Sequence, residues 1–145
     1  MRFSKSQIGL LGFLILLLAV VYADIFQGLY YDWSNDENYS HGFLVPLISA
    51  YFAWQVRDQL QVELIKPLNS GLVLIAFALL MLFAGVSSQV DYALRNSFVF
   101  LLCGIVLFLF GWQWFKTLLL PLGFLFFMIP LPYIVYDSLA FPLKL

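Results

Sequence analysis

A single histidine, His41, sits in the most polar run of an otherwise apolar chain, Tyr31-Asp32-Trp33-Ser34-Asn35-Asp36-Glu37-Asn38-Tyr39-Ser40-His41-Gly42-Phe43-Leu44-Val45-Pro46. An imidazole among carboxylates can act as an acid/base group, ligate a metal or contact an anion. The plainer alternative is that its ring nitrogens satisfy capping and loop carbonyls at an interface. No second histidine or cysteine lies nearby, so a zinc site lacks its ligands. Asp32, Ser34 and Asp36 have the spacing of the first three ligands of a calcium loop. The sixth position, however, is Glu37 instead of glycine and the twelfth is Phe43 instead of glutamate, so the match fails.

The other candidate nucleophile is the lone cysteine, Cys103, between Leu102 and Gly104 in an apolar run. A thiolate is the reactive form, and no basic residue or histidine within a turn would stabilise one. No Ser-His-Asp set, Cys-His pair, phosphate-cradling glycine loop or metal cluster can be assembled from these residues. The sequence therefore offers no catalytic residue, no metal site and no cofactor.

The elements that must position these groups follow from composition. The chain has 145 residues, 63% apolar and only 10% charged, where a soluble domain carries about 25% charged residues. Five stretches have no formal charge: 6–23, 39–56, 67–90, 96–115 and 117–136. Each is long enough to cross a hydrocarbon core of about 30 Å as a helix rising about 1.5 Å per residue. Membrane strands would alternate apolar and polar residues over about 10 positions, and these runs do not. The expectation is an all-α, polytopic transmembrane bundle of five spans in one unit, residues 1–145, with the lipid bilayer as its partner. A net charge of −1 with no Lys/Arg cluster excludes nucleic acid.

Orientation follows from the basic residues. Arg2, Lys5, Arg57, Lys66 and Lys116 fall on one side of such a bundle and Arg95 and Lys144 on the other. The positive-inside rule then puts the N-terminus in the cytoplasm. The segment 24–38 becomes an acidic outer loop and 57–66 an inner connector closed by Pro67. The first span also has the outline of a signal peptide, with a small-residue site at Val21-Tyr22-Ala23, but four following spans favour an uncleaved helix.

Asn38 or Ser40 is expected to cap the second span, placing His41 in its first turn. Pro46 within that span, and Pro121, Pro130 and Pro132 within the fifth, each remove a backbone hydrogen bond. In lipid, a carbonyl freed in this way needs a donor from a neighbouring helix, a polar side chain or water. Gly104 and Gly111 read as helix contact points, and Trp112, Trp114 and Phe115 as an interfacial belt. The chain ends in a short apolar stretch, 138–145, as expected of the front part of a longer membrane protein.

The chain resembles the exosortase/archaeosortase family of polytopic membrane proteins. The resemblance rests on the outer tryptophan, Trp33, and on Asn38-Tyr39-Ser40-His41-Gly42-Phe43-Leu44-Val45-Pro46 with Trp54 and Arg57 after it. It also includes Pro67, Gly71, Lys116, Pro121 and Phe127-Met128-Ile129-Pro130-Leu131-Pro132. It implies a cysteine-type membrane peptidase or transpeptidase of the prokaryotic cytoplasmic membrane. Its substrates would be proteins with a C-terminal sorting tail of the PEP-CTERM type: a short Pro-Glu-Pro type motif, a transmembrane helix and basic residues. The implied catalytic cysteine, arginine, and histidine or second arginine have no counterpart here. Asn38, Tyr39, Ser40, His41, Gly42 and Pro46 are then expected to line the outer mouth of a substrate cavity. The competing readings are an inert membrane remnant and a transport or binding component. The last calls for an ionisable residue deep in a span, and the five stretches hold none.

Overall fold

The computed structural model describes residues 4–143, apart from the side chains of residues 133 and 136; Arg2 and Lys144, used above for orientation, lie outside the described residues. The described chain is helical and contains no strand. The first helix, α1 (Lys5–Val21), opens with a capping box between Ser4 and Gln7. It does not give way to a loop. Tyr22 turns the chain by 62° into a second helix, α2 (Ala23–Asn35), so most of the expected outer loop 24–38 is helix. Ile25, Leu29 and Trp33 recur every fourth residue and bury one stripe against the rest of the chain. The polar residues between them masked that period.

The fold is organised around a hairpin of α4 (Ser70–Ser88) and α5 (Asp91–Leu109), turned at Gln89 in a left-handed conformation. Gly71, Ala78 and Gly85 lie seven residues apart on α4, and Leu94, Leu101 and Phe108 lie seven apart on α5. The small set meets the large set residue for residue. A Cβ on Gly71 would strike the Phe108 backbone, one on Gly85 would lie 2.8 Å from Leu94, and fully buried Ala78 clusters with Leu101. Without a hydrophobic drive between helices in lipid, this close approach of backbones is what binds the pair. Gly104 is a contact point too, 2.7 Å from Ile75 by its would-be Cβ.

Helix α5 starts five residues before the uncharged stretch 96–115 and stops six before its end. Asp91 suits the positive N-terminal end of a helix dipole, and Arg95 is paired as described below. At the other end Gly111 adopts φ +87°, and the carbonyl of Lys66 occupies the space a side chain would need. Gly111→Ala should therefore cost at least about 2 kcal/mol, from strain plus overlap. Thermal unfolding in detergent measures this.

The expected second and fifth spans are not single long helices. Residues Glu37–Phe43 form a 3-10 turn that leads into a 12-residue helix, α3 (Leu44–Gln55). Pro46 is third in α3, where the missing N–H costs the helix no bond. The expected fifth span divides into α6 (Trp112–Thr117), α7 (Leu119–Phe124), a 3-10 turn Leu125–Met128 and, beyond the prolines, α8 (Tyr133–Ala140). Pro121 is third in α7, so no amide at that position returns to the carbonyl of Thr117, where α6 ends, and Pro130 and Pro132 stand where helix stops altogether. By length and apolarity α4 and α5 can each cross a membrane, and α1 with α2 makes a third crossing if the bent pair is one span. Trp114 is no part of an interfacial belt: it is buried, and its indole donates to the carbonyl of Gln61 at 3.0 Å.

Candidate functional site

The polar run 31–46 ends up at one junction of three segments, with Trp33 at its centre. Trp33, in the last turn of α2, lies over Gly42 so closely that any side chain at 42 would overlap the indole ring. Its Nε1 donates to the carbonyl of Met128 at 2.9 Å. That carbonyl would ordinarily accept from the amide four residues later, which is Pro132 and has none. Trp33 thus supplies the donor that the interrupted helix lacks. Phe43 stands edge-on to Trp33 and to Tyr30, with ring centroids 5.3 and 5.5 Å apart.

A second crossing bond repeats the pattern. Past Pro121, the chain tightens so that the amide of Leu125 turns to the carbonyls of Leu122 and Gly123. The Pro121 carbonyl then takes the hydroxyl of buried Ser49, from α3, at 2.7 Å. Both bonds reach, from the side, carbonyls of the proline-broken segment.

The turn is capped by Asp36, whose carboxylate accepts from the Asn38 amide at 3.0 Å. Neither Asn38 nor Ser40 is the cap. Ser40 donates instead to the Glu37 carbonyl at 3.1 Å. Tyr39 reaches across to the Leu131 carbonyl at 3.5 Å. Between them lies a pocket of about 200 Å³ lined by Tyr31, Asp32, Asn35, Asp36, Tyr39 and Leu131. His41 projects from the turn, exposed, and its ring makes no hydrogen bond to the described residues. It does not serve as a cap. Of the singled-out residues, Tyr39 and Gly42 join the turn to other segments, while Asn38, Ser40 and His41 present polar groups beside them.

The sequence did not reveal what holds α2 in place. Arg95 of α5, its side chain only 10% exposed, pairs with Asp32 at 2.5 Å, with Asp91 farther off at 4.0 Å. Asp32 immediately precedes Trp33, so the ion pair fixes the helix turn that carries the indole. Nothing local marks two residues so far apart in sequence as partners. No group of three or more histidine, cysteine, aspartate or glutamate side chains that could hold a metal ion occurs among the described residues.

Cys103 is buried with Leu29, Val45 and Val99, two turns along α5 from Arg95. A maleimide should leave it unmodified in the folded protein and modify it fully after unfolding in denaturant, as mass spectrometry would show. Ready reaction of the folded protein would contradict this packing.

The chain matches the transmembrane exosortase family over residues 33–145. It belongs to that family. No curated protein and no solved structure matches it. The exosortase match begins at Trp33, the residue that ties the turn to the broken segment, and takes in both partners of that tie, Gly42 and Met128. Other residues behind the resemblance also occupy contacts in this family member. The Arg57 guanidinium lies 4.3 Å over the Trp54 ring and donates to the Trp54 carbonyl. Gly71 admits the backbone of Phe108, and Lys116 closes the last turn of α6, where a cation suits the helix dipole.

Proposed function

We propose that residues 1–145 form a substrate-facing scaffold of an exosortase-type cysteine peptidase or transpeptidase. It would act on proteins with a C-terminal PEP-CTERM-type sorting signal, in the cytoplasmic membrane of a prokaryote. In this reading the chain crosses five times from a cytoplasmic N-terminus, the second and fifth crossings being the interrupted segments. The turn 38–46 lines the outer mouth of the cavity that receives the tail, and the thiol chemistry uses residues other than Cys103. The observation that carries the reading is the junction itself. Trp33 and Tyr39 bring the turn against residues 128–131, leaving a polar pocket lined by Asp32, Asp36 and Tyr39 at the carboxylate-rich end of the hairpin. Non-helical backbone at 129–132 belongs where a membrane protein buries it or lines a cavity with it and not where it meets lipid.

The test is co-expression of the gene's whole reading frame with a secreted reporter carrying such a tail. Processing should shorten the reporter. Tyr39→Ala and His41→Ala should slow that step at least about tenfold at unchanged protein level, while Cys103→Ser leaves it intact. A reporter that stays full length with the unaltered protein, or that is processed equally by all variants, would overturn the reading. Outside labelling of Ser34→Cys but not Asp58→Cys by an impermeant maleimide is the expected topology result.

A further inference from the structure

Helix α1 leans on the α4/α5 hairpin only near its C-terminal end, where Leu18 and fully buried Tyr22 join the cluster around Ala78 and Leu101. Tyr22 is locked there. The Ser97 hydroxyl donates to the Leu94 carbonyl at 2.6 Å, so the Tyr22 hydroxyl is the donor in its 3.0 Å bond to Ser97. Toward its N-terminus α1 has no buried residue. Between it and the hairpin runs a groove of about 460 Å³ whose exposed lining is almost wholly hydrocarbon. Leu10, Leu14 and Val21 line it on one side, with Leu79, Leu101 and Ile105 facing them. A smaller recess of about 130 Å³ at Gln7, Leu11, Ile65 and Phe110 continues it beyond Leu10 and Leu109, residues that line both.

Three features identify the occupant. From Leu10 to Val21 the groove is about 16 Å long, the depth of one leaflet of a core of about 30 Å. A helix of about 10 Å diameter over that length would need about 1,300 Å³, more than the about 1,020 Å³ of the groove when all the space between its walls is counted, whereas a single hydrocarbon chain is slender enough. Finally, the recess opens at the basic end of the molecule. Lys66 adjoins Ile65, Lys5 is two residues from Gln7, and the same end carries Arg57 and Lys116 against two carboxylates, Asp58 and Glu63. The opposite end carries Asp24, Asp32, Asp36, Glu37 and Asp91, with Arg95 as its one cation among the described residues. We infer that this groove binds one acyl chain of an anionic phospholipid, with its headgroup at Lys5 and Lys66. The inference is independent of the sorting activity proposed above.

The protein, reconstituted in nanodiscs of equal phosphatidylglycerol and phosphatidylcholine and released for native mass spectrometry, should keep one phosphatidylglycerol per chain. Leu14→Trp on one wall and Leu79→Trp on the other fill the groove independently, so one can fail to fold without voiding the test. Each folded variant should retain at least about tenfold less lipid. Lys5→Gln with Lys66→Gln should bring phosphatidylglycerol and phosphatidylcholine to parity, each lysine contributing about fivefold to the preference. No retained lipid, equal retention of the two lipids by the unaltered protein, retention untouched by both tryptophans, or a second copy of the chain in place of lipid would each overturn the inference.

Discussion

Replacing Gly42 with valine should destabilise the folded protein by about 3 kcal/mol or more. A side chain at 42 overlaps three atoms of the Trp33 indole, and a core already packed relaxes only at a cost. The ring cannot move aside cheaply. Shifting it leaves the Met128 carbonyl, in a residue only 3% exposed, without its donor, and an unmet buried acceptor costs about 1–3 kcal/mol. Trp33→Phe removes the bond but keeps most of the packing, so it should cost about 1–2 kcal/mol. Combined with Trp33→Leu, the Gly42→Val change should cost much less than it does alone, because the obstructing ring has gone. Thermal unfolding in one detergent of the unaltered protein, Gly42→Val, Trp33→Phe, Trp33→Leu and the Trp33→Leu/Gly42→Val double gives the comparison. Additive losses would show that Gly42 matters for some reason other than the indole.

Removing Asp32 should have an effect of similar size, and an unequal one. Asp32→Ala leaves Arg95 almost enclosed, with Asp91 at 4.0 Å as its nearest remaining carboxylate. A stranded buried charge typically costs 3–5 kcal/mol, and the partly open site puts the expected loss near the lower figure, about 3 kcal/mol. Arg95→Met strands Asp32 instead. That carboxylate is one-third exposed and can recover water, so its loss should be about half as large. Arg95→Met with Asp32→Leu should return stability to within about 1 kcal/mol of the unaltered protein, since no unpaired charge remains. Chemical unfolding in mixed micelles measures all three. If the arginine variant proves the more damaging, the burial asymmetry is not what governs the pair.

The hairpin was the easiest part to read from sequence, because two long apolar runs between short polar links admit little except antiparallel helices in lipid. Even there, charge was a poor guide to ends. Asp91 and Arg95 looked like loop residues and are helical, since a carboxylate at a helix start and a paired arginine cost little. Helix α2 was obscured for the opposite reason: its apolar stripe of Ile25, Leu29 and Trp33 is interleaved with polar and acidic residues that resemble a loop. The prolines of the fifth segment did signal a need. Pro132 meant that the carbonyl of Met128 required an outside donor, but arithmetic on the chain could not say that the donor would be Trp33, ninety-five residues away. The same holds for Ser49 and Pro121. Long-range pairs such as Arg95 with Asp32 leave no local trace, since each residue alone satisfies an ordinary surface pattern.

The account depends on the turn Glu37–Phe43 being held against the proline-broken segment. Cross-linking tests this most directly. Tyr39→Cys and Leu131→Cys are introduced together with Cys103→Ser, and the protein is treated in native membranes with a short bis-maleimide, then cut at a protease site inserted in the 57–66 connector. The two halves should stay joined, as expected from the Tyr39 hydroxyl lying 3.5 Å from the Leu131 carbonyl. Separation of the halves, with both cysteines reacting singly with a monofunctional maleimide, would contradict the junction.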